Sequence, residues 1–452
     1  MGERLPARAV LDAVADGFAE LPDGEAAWDD GATGGPGDGP IGWAGYGAVR
    51  AGARERTGER ESVVCGTGTV GGVRTVLLVF EFGFLGGSLG QRTGDRIEAA
   101  HRYARAERLP VVSLIATGGS RMQEGMRALT QLQRVARQSA LTRAAGLPQI
   151  AVARDPTTGG GWATLGAGSD VVLALPGAQI AFAGSRVRPP GADPAAYGAE
   201  GKLAAGQVDR IVAPGELREV LGSWLALLAS PTDGDGPPEP PRALGAVSGP
   251  PGTGWEAVER ARSPRRPRAD AYLDAYFEVR EELSGDRCGG TDPGMRCGFG
   301  RRDGRTVAYA AQCGTPTLPA GFRAAARLIR MADRLGIPVL TLVDTPGAAN
   351  DEAAERSGAG AAIADAFAAM AEARVPVTTL VVGEGGSGGA LALAAPGNTW
   401  VTPDSYFSVI APESAAAILK RGPERVRETA DELRLRPQDL VELGIARGIV
   451  PP

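Results

Sequence analysis

The chain has few of the residues that build metal centres, disulfide scaffolds or membrane spans. Its 452 residues include four cysteines (Cys65, Cys288, Cys297 and Cys313), no C-x-x-C pair and one histidine, His101. This scarcity argues against a secreted disulfide scaffold and against a four-ligand zinc site. No run of 18 apolar residues occurs, and the N-terminus MGERLPARAV lacks an apolar signal segment. We therefore expect no bound metal, no membrane span and a reduced, cytoplasmic setting.

Excess charge of one sign is also missing. The formal net charge is −5, which argues against binding to nucleic acid or to an anionic membrane. The apolar fraction of 43% is normal for globular proteins, whereas 67 glycines and 34 prolines are many and follow no collagen-like repeat. The length predicts two or three domains. Together these features favour an α/β protein with many tight turns.

A Pro- and Gly-rich stretch without periodicity divides the chain into two halves. This stretch, residues 229–254, has linker composition, and a smaller Gly-rich stretch ends near Pro40. We predict a helical lead-in with a Gly-rich segment over 1–56, a first domain over 57–228, the linker, and a second domain over 255–452.

Each half alternates apolar, strand-like runs with amphipathic helices. The predicted strands are TVLLVFEF, LPVVSLIA, LPQIAVAR, DVVLAL and AQIAFAG in the first half, and IPVLTLVD, VPVTTLVVG and YFSVIAP in the second. The predicted helices are Asp95–Arg108, Arg121–Ala145, Phe322–Leu335, Asp351–Arg374 and Glu413–Arg421. Apolar strands without alternation indicate sheets that are covered on both faces.

The two halves repeat one another in their spacing. Each half has a pair of prolines that open strands 38 positions apart: Pro110 and Pro148, then Pro338 and Pro376. Thirteen positions past the later proline of each pair come Gly161 and Gly389, and 34 positions past it come Phe182 and Ile410. The spacing predicts a duplicated domain, and duplicated domains commonly form a shared cleft.

Two short motifs suggest other functions and fit their context less well. GTGTVG (Gly66–Gly71) matches a dinucleotide-binding pattern, but a second strand follows it, so a hairpin is the better interpretation. Ser88 and Ser387 lie in G-x-S-x-G sequences, which occur in serine hydrolases. A serine nucleophile needs a base, and His101 lies 13 residues after Ser88 on a predicted helix. Hydrolase chemistry stays open at this point.

Four glycine-containing motifs each follow an apolar strand: TGGSRMQEG (Thr117–Gly125), DPTTGGG (Asp155–Gly161), DTPGA (Asp344–Ala348) and GEGGSGG (Gly383–Gly389). Paired glycines allow a ligand to approach the backbone, and N–H groups at a helix start can stabilise an anion. The alternative is that the glycines only make tight turns. Two such sites, one in each repeat, favour a chemistry that makes an enolate from a thioester without a histidine.

The first half resembles the β subunit of bacterial acetyl-CoA carboxylase carboxyltransferase, and the second half resembles the α subunit. The first resemblance rests on FGFLGGSLG (Phe82–Gly90), TGGSRMQEG, DPTTGGG and FAGSRV (Phe182–Val187). The second rests on LSGDR (Leu283–Arg287), IPVLTLVDTPGA, GEGGSGGALAL and YFSVIAPE (Tyr406–Glu413). The resemblance implies an α/β fold of two tandem crotonase-like domains, each built from repeated ββα units.

The resemblance also implies a mechanism and a set of site residues. The N–H groups of Gly388 and Gly389 would polarise the ureido carbonyl of carboxybiotin, and those of Gly118 and Gly119 would stabilise the thioester enolate. Residues expected to bind the CoA thioester are Arg121, Gly160, Gly161, Phe182, Ala183, Gly184, Arg186 and Arg188, with a solvated surface as the alternative for the three arginines. Residues expected to bind biotin are Thr345, Pro346, Gly347, Gly386, Ser387 and Ile410. The basic run RSPRRPR (Arg262–Arg268) would either attract CoA or the carrier, or end the linker.

As partners the resemblance implies a biotin carboxyl carrier protein, a separate biotin carboxylase, acyl-CoA and further copies of the chain. The expected reaction carboxylates acetyl-CoA or propionyl-CoA, as in the malonyl-CoA step of fatty acid biosynthesis. Decarboxylation of malonyl or methylmalonyl thioesters is the alternative, and a catalytically inactive scaffold is a third. Departures from the family, namely DTPGAAND through Asp351, APESAA (Ala411–Ala416), Cys313-Gly314 and the missing four-cysteine zinc ribbon, bear on substrate choice.

Overall fold

The computed structural model describes residues 4–22, 37–229, 236–245 and 249–452. Its contacts divide the chain into two compact units, Met1–Ser230 and Pro231–Pro452. Each unit is a mixed α/β domain, and each contains one sheet.

The sheet of the first unit has the strand order β1-β2-β3-β4-β5-β6-β8, with β7 paired to the far end of β5. Its strands are β1 (Asp16–Glu20), β2 (Val63–Val70), β3 (Val73–Phe80), β4 (Val111–Thr117), β5 (Gln149–Thr158), β6 (Val171–Ala174), β7 (Ile180–Ala181) and β8 (Arg210–Ile211). The first three strands are antiparallel neighbours, and the pairs from β3 onward are parallel.

The helices of the first unit are α1 (Ala7–Val14), α2 (Tyr46–Thr57), α3 (Gln91–Glu107), α4 (Gly125–Leu129), α5 (Gln131–Ala144), α6 (Gly159–Gly161), α7 (Ala199–Ala204) and α8 (Leu217–Leu228). Among them, α3 to α7 lie between successive parallel strands from β3 to β8. A π-helical turn, Trp162–Gly166, continues α6.

The sheet of the second unit has the equivalent order β9 to β14 followed by β16, with β15 paired to the far end of β13. Its strands are β9 (Val279–Leu283), β10 (Met295–Arg302), β11 (Arg305–Gln312), β12 (Val339–Thr345), β13 (Val377–Gly386), β14 (Thr399–Val401), β15 (Tyr406–Ser408) and β16 (Gly448–Ile449). Its helices are α9 (Gly254–Arg262), α10 (Ala269–Tyr276), α11 (Pro319–Leu335), α12 (Glu352–Arg356), α13 (Ala359–Glu372), α14 (Ser387–Leu391), α15 (Pro412–Ile418), α16 (Val426–Glu432) and α17 (Pro437–Glu442).

The strand register confirms the predicted duplication. Val111 of β4 pairs with Gln149, and its counterpart Val339 of β12 pairs with Val377. The register also refines the comparison of the two copies. Ala181 pairs with Thr158, whereas Ser408 pairs with Gly386, so the counterpart of Phe182 is Val409 rather than Ile410.

The central strands are buried, as their continuous apolar runs predict. Every residue of β4 and of β12 is buried, and some of their side chains, such as Ile115 and Leu342, belong to the main apolar cluster of their unit. The carboxyl ends of these strands therefore sit on a rigid base, and the glycine motifs follow at those ends.

Two predicted long helices are broken, and in both cases glycine is at the break. The segment 121–145 begins with a 3₁₀ turn and contains α4 and α5, and Gly125 has a φ of +55°. The segment 351–374 contains α12 and α13, and Gly358 between them has a φ of +79°. Side chains other than glycine rarely adopt this left-handed conformation, so an uninterrupted helix is not formed.

The predicted hairpin at GTGTVG is confirmed. Its strands β2 and β3 pair from Val63↔Phe80 to Val70↔Val73. Gly71 and Gly72, with φ values of +55° and +84°, make the turn between them. Gly66 and Gly68 of the motif therefore lie within β2 and Gly71 serves the β-turn, so no strand-turn-helix unit for a dinucleotide is present at this motif.

The structure describes the predicted linker only over some of its length. Residues 230–235 and 246–248 lie outside the described residues, as do 23–36 of the Gly-rich lead-in. Within residues 236–245, the N–H of Ala243 donates to Pro451 O (2.8 Å), and Pro238 O accepts from Thr378 Oγ1 (2.6 Å). This stretch thus bonds to residues of the second unit. No helix in the described ranges is long and apolar enough to cross a membrane.

Candidate functional site

The second unit has a glycine turn where β13 ends and α14 begins. Ser387, the first residue of α14, has a φ of +55°, which places a left-handed residue between the strand and the helix. Gly388 and Gly389 are the second and third residues of α14. N–H groups in the first turn of a helix have no acceptor within that helix. These two N–H groups can therefore serve an external anionic oxygen.

The DTPGA turn packs tightly against this glycine turn. A Cβ on Gly386 would lie 2.0 Å from Pro346 O, and one on Gly389 would lie 2.3 Å from Ala348 N. By contrast, a Cβ on Gly388 would meet no atom within 4 Å. Glycine is therefore required at two positions by close backbone approach, and Gly388 is open on the side where a ligand could lie.

Buried charges support the second turn from below. The carboxylate of Asp344, which begins the DTPGA motif, accepts from Arg266 Nη2 (2.6 Å) and from Glu384 N (3.2 Å). Burial raises the pKa of Asp344, and the Arg266 charge opposes that rise. Arg262 donates to Glu384 Oε2 (2.8 Å). Arg262 and Arg266 of the RSPRRPR run thus hold the turn in place.

The first unit has an equivalent turn where β5 ends and α6 begins. Gly159 has a φ of +65°, as Ser387 has +55° in the other copy. Gly160 and Gly161 are the second and third residues of α6, so their N–H groups also lack intrahelical acceptors. A Cβ on Gly159 would lie 2.9 Å from Gly119 Cα, which shows that the TGGSRMQEG turn packs directly against this one.

The N–H groups of Gly118 and Gly119 are already occupied within the protein. Gly118 donates to Gly86 O (2.9 Å), and Gly119 donates to Thr117 Oγ1 (3.1 Å). The predicted role as enolate donors requires free N–H groups, and these two residues do not lie in the first turn of a helix. Gly160 and Gly161, whose N–H groups lie in the first turn of a helix, are therefore the better candidates for the donors in this unit.

Arg121 is also placed differently from the expectation that it binds CoA phosphate. Its side chain is 1% exposed, and its guanidinium forms ion pairs with Glu61 and with Glu124 Oε1 (3.0 Å). The Arg121 guanidinium also donates hydrogen bonds to Tyr46 OH (3.2 Å) and Ser88 O (2.8 Å). Burial opposes the charge, yet the carboxylates raise the pKa of Arg121 above its usual value. Arg121 therefore positions the turn that carries the TGGSRMQEG glycines. No local pattern marks the pairing with Glu61, which lies 60 positions away.

The remaining predicted residues of the first site form an exposed edge near β7. Phe182 is 73% exposed, and its counterpart Val409 in the second unit is 74% exposed. Arg186 is exposed, whereas Arg188 donates to Ala183 O (3.3 Å) and Gln179 Oε1 (3.1 Å). This edge therefore offers an exposed aromatic side chain and one exposed cation, Arg186.

In the second site, Thr345 is fully buried and its Oγ1 accepts from the N–H of Gly347 (3.1 Å). Pro346 is exposed and Ile410 is half-buried, with the Ile410 carbonyl accepting from Ser408 Oγ (2.7 Å). The structure thus brings Thr345, Gly347, Gly386 and Ser387 to one place through the packing of the two turns.

Serine-hydrolase chemistry is contradicted by the position of His101. Its side chain is 0% exposed on α3, and Nδ1 lies 3.0 Å from Thr142 Oγ1. Ser88 instead accepts from Arg121 Nε (3.2 Å). No histidine base is therefore available to Ser88, and the second unit contains none for Ser387.

His101 gives a pH-dependent stability that can be measured directly. Burial, and to a smaller extent the Arg105 charge, lowers the pKa of His101 from 6.5 to about 4. The unfolded chain therefore takes up a proton that the folded chain does not, and stability is lost as the pH falls from 6.5 to about 4. We expect a loss of about 1 kcal/mol between neutral pH and about pH 5.5.

The only imidazole can be labelled with ¹⁵N-histidine, so its titration is read from one side chain. We expect the resonances to stay those of neutral imidazole down to about pH 5, and His101→Gln to remove the corresponding share of the stability loss. A titration midpoint near 6.5 in the folded protein would contradict this burial.

Comparison with known proteins identifies both units. Residues 45–210 match the family described as carboxyl transferase domain, and residues 252–452 match the family described as acetyl co-enzyme A carboxylase carboxyltransferase-like. The acetyl-coenzyme A carboxylase carboxyl transferase subunits beta/alpha of Saccharopolyspora erythraea are 39% identical over 88% of this chain and 73% of theirs. Those of Salinispora arenicola are 41% identical over 88% and 75%. A probable biotin-dependent acyl-coenzyme A carboxylase beta3 subunit of Mycobacterium bovis is 33% identical over 90% and 83%.

Solved structures show the same fold at lower identity. The transcarboxylase 12S hexamer with bound methylmalonyl-coenzyme A and methylmalonic acid aligns with a TM-score of 0.77 and 21% identity, over 99% of this chain and 87% of that one. A single-chain, multi-domain long-chain acyl-CoA carboxylase aligns with a TM-score of 0.74 and 19% identity, over 99% and 46%. The predicted tandem crotonase-like architecture is confirmed.

Proposed function

Because the chain belongs to the carboxyltransferase family of biotin-dependent acyl-CoA carboxylases, we propose that it transfers a carboxyl group from carboxybiotin to the α-carbon of acetyl-CoA or propionyl-CoA. The observation that carries the proposal is the pair of equivalent glycine turns, one in each unit. Each turn presents two N–H groups of a helix start, Gly160 and Gly161 in one and Gly388 and Gly389 in the other. The reaction passes through two anions, so it requires two such donors.

We assign the turn of the second unit to the ureido group of biotin. When bound, carboxybiotin on its carrier protein would supply the CO2 and the base for the reaction. The N–H groups of Gly388 and Gly389 would donate to the ureido oxygen and would stabilise negative charge there. The open side of Gly388 fits this flat group, because no protein atom lies within 4 Å of its Cβ position.

We assign the turn of the first unit to the thioester. The N–H groups of Gly160 and Gly161 donate to the thioester oxygen, which becomes negative when the α-proton leaves. The enolate carbon then forms the new C–C bond with CO2, and the α-proton ends on the biotin nitrogen. One donor of this kind typically contributes a factor of about 10² to 10³ in kcat. No side-chain base is required, which agrees with the complete burial of His101.

Substrate contacts at the edge of the first site follow from exposure. Phe182, Ala183 and Gly184 lead from the turn to Arg186, and Phe182 and Arg186 are exposed. Arginine binds phosphate through a fork of donors, so Arg186 is our candidate for a CoA phosphate contact. Thr345, Pro346, Gly347, Gly386 and Ser387 surround the biotin turn in the same proposal.

The proposal includes partners. A biotin carboxyl carrier protein and a biotin carboxylase must act with the chain, and we expect it to form a homo-oligomer in the cytoplasm. Size-exclusion chromatography with light scattering tests the oligomer.

Reconstitution tests the reaction. The purified chain is mixed with biotinylated carrier, biotin carboxylase, ATP, labelled bicarbonate and either acetyl-CoA or propionyl-CoA. We expect acid-stable label in the acyl-CoA product, and we expect its formation to depend on the biotin of the carrier. An unbiotinylated carrier is the control. CO2 release from malonyl-CoA or methylmalonyl-CoA without biotin, and no labelled product, would instead establish a decarboxylase. If the folded protein catalyses neither reaction, the scaffold alternative holds.

A further inference from the structure

The two copies differ at one buried position beneath their glycine turns. Phe80 ends β3 and pairs with Val63, while Gln312 ends β11 and pairs with Met295. The neighbouring parallel ladders have the same register, so Gln312 is the counterpart of Phe80. Phe80 belongs to the apolar core of the first unit. The fold therefore accepts an apolar side chain here, and the amide of Gln312 is not required by the architecture.

A second position changes in the same way. Leu89 bridges to Ser120 in the first unit, and its counterpart Thr317 bridges to Ala348 in the second. Both are fully buried. The first turn therefore has an apolar pair of residues beneath it, and the second has a polar pair, Gln312 and Thr317.

The amide of Gln312 binds the glycine turn directly. Its Nε2 donates to Gly389 O (3.0 Å) and to Thr317 Oγ1 (3.1 Å), and the side chain is 0% exposed. Its Oε1 is buried and has no hydrogen-bond partner. Exchanging the two amide atoms would place Oε1 against the carbonyl of Gly389, so this carbonyl fixes the orientation. A buried amide with an unpaired oxygen costs stability, which argues against a purely structural role.

The bond to Gly389 replaces one that the short helix lacks. In a regular helix the carbonyl of Gly389 would accept from the N–H of Leu393, but Leu393 donates to Ala390 O (3.2 Å). Thr317 in turn connects Gln312 to the DTPGA turn, since its N–H donates to Gly347 O (3.0 Å). Gln312 thus joins the start of α14 to the turn that packs against it.

We propose that Gln312 is a positioning residue that holds the peptide groups of α14 so that the N–H groups of Gly388 and Gly389 converge on the ureido oxygen of biotin. The assignment of biotin as the occupant rests on the proposed function, whereas the positioning of the turn does not. Thr317 is the second member of the device. The thioester turn has Phe80 and Leu89 instead, so the device acts on one of the two reactants.

The test uses Gln312→Met, which keeps the approximate shape and removes the donor, and the double variant Gln312→Phe/Thr317→Leu, which copies the first unit. We expect hydrogen exchange of the 387–391 amides to accelerate at least roughly tenfold while unfolding by denaturant stays the same or shifts to higher stability. In carboxyl transfer we expect kcat to fall roughly 10- to 100-fold with the KM for acyl-CoA within about twofold, because misplacement of reacting groups costs rate.

The matched control is Gln149→Met, which removes another buried glutamine whose amide bonds Ser139 O (2.8 Å) and accepts from Ser139 Oγ (2.8 Å). It should lower stability and leave both the exchange at 387–391 and kcat near wild type. The proposal would be overturned if the 387–391 amides of Gln312→Met exchanged hydrogen at the wild-type rate. It would also be overturned if both Gln312 variants were unfolded. Changes of equal size in kcat and KM would also overturn the proposal. If the wild type transfers no carboxyl group, the proposed function fails, and the exchange measurement still decides the positioning role.

Discussion

Gly388→Ala is expected to lower carboxyl transfer at least about 100-fold while the free energy of unfolding stays within about 1 kcal/mol of wild type. The new methyl group meets no protein atom within 4 Å, and the φ of Gly388 is not left-handed, so the fold tolerates alanine. If the ureido group lies on that open side, the methyl group occupies its place. Label transfer from carboxylated carrier and denaturant unfolding measure the two quantities.

Gly360→Ala is the matched control. Gly360 is also the second residue of a helix, α13, and its Cβ position is equally open. The Gly360→Ala protein should retain full transfer activity. A loss of activity confined to Gly388→Ala then identifies the ligand position. Full activity of a folded Gly388→Ala protein would show that biotin does not lie against this turn.

Arg121→Met is expected to destabilise the first unit by about 3–5 kcal/mol. The substitution leaves the buried carboxylates of Glu61 and Glu124 without their cation. In the wild type, burial raises the pKa of Glu61, but Arg121 outweighs it and holds that pKa below 4.5. Without Arg121, the Ser62 N–H and the Arg50 charge still lower the pKa of Glu61, but its main opposition to burial is gone, so this pKa rises. The stability deficit should therefore be largest at neutral pH and should narrow as the pH falls.

Urea unfolding of the variant at several pH values measures this. Arg186→Met, at an exposed position, is the control for loss of one arginine. It should leave stability nearly unchanged and weaken acyl-CoA binding. A stable Arg121→Met protein with weakened CoA binding would instead show that Arg121 binds the substrate.

The sequence predicted the elements and their duplication, because apolar runs and proline spacing are local signals. It placed the biotin donors at Gly388 and Gly389, where the structure has the start of a helix. For the thioester the sequence favoured Gly118 and Gly119, although the duplication itself favours Gly160 and Gly161. Gly161 and Gly389 occupy equivalent positions, while the counterpart of Gly118 is Pro346, which has no N–H to donate. A comparison of the two repeats residue by residue would have moved the assignment to Gly160 and Gly161.

Other features could not be read from the sequence, since they depend on contacts between distant segments. The pairing of Arg121 with Glu61 and the bond from Gln312 to Gly389 join residues 60 and 77 positions apart. An arginine beside a glycine pair looks like a phosphate ligand until its burial is known. Likewise the basic run Arg262–Arg268 looks like a solvated surface until Asp344 and Glu384 are found against it.

A single-turnover experiment isolates the step on which the proposed function rests, the movement of the carboxyl group from biotin to the thioester by this chain alone. Carrier protein bearing ¹⁴C-carboxybiotin, freed of ATP and biotin carboxylase, is mixed with the chain and propionyl-CoA or acetyl-CoA. We expect the label to move into acid-stable acyl-CoA at a rate set by the chain, and we expect Gly388→Ala to stop it. Label that stays on the carrier, or leaves only as CO2, would contradict carboxyl transfer by this protein.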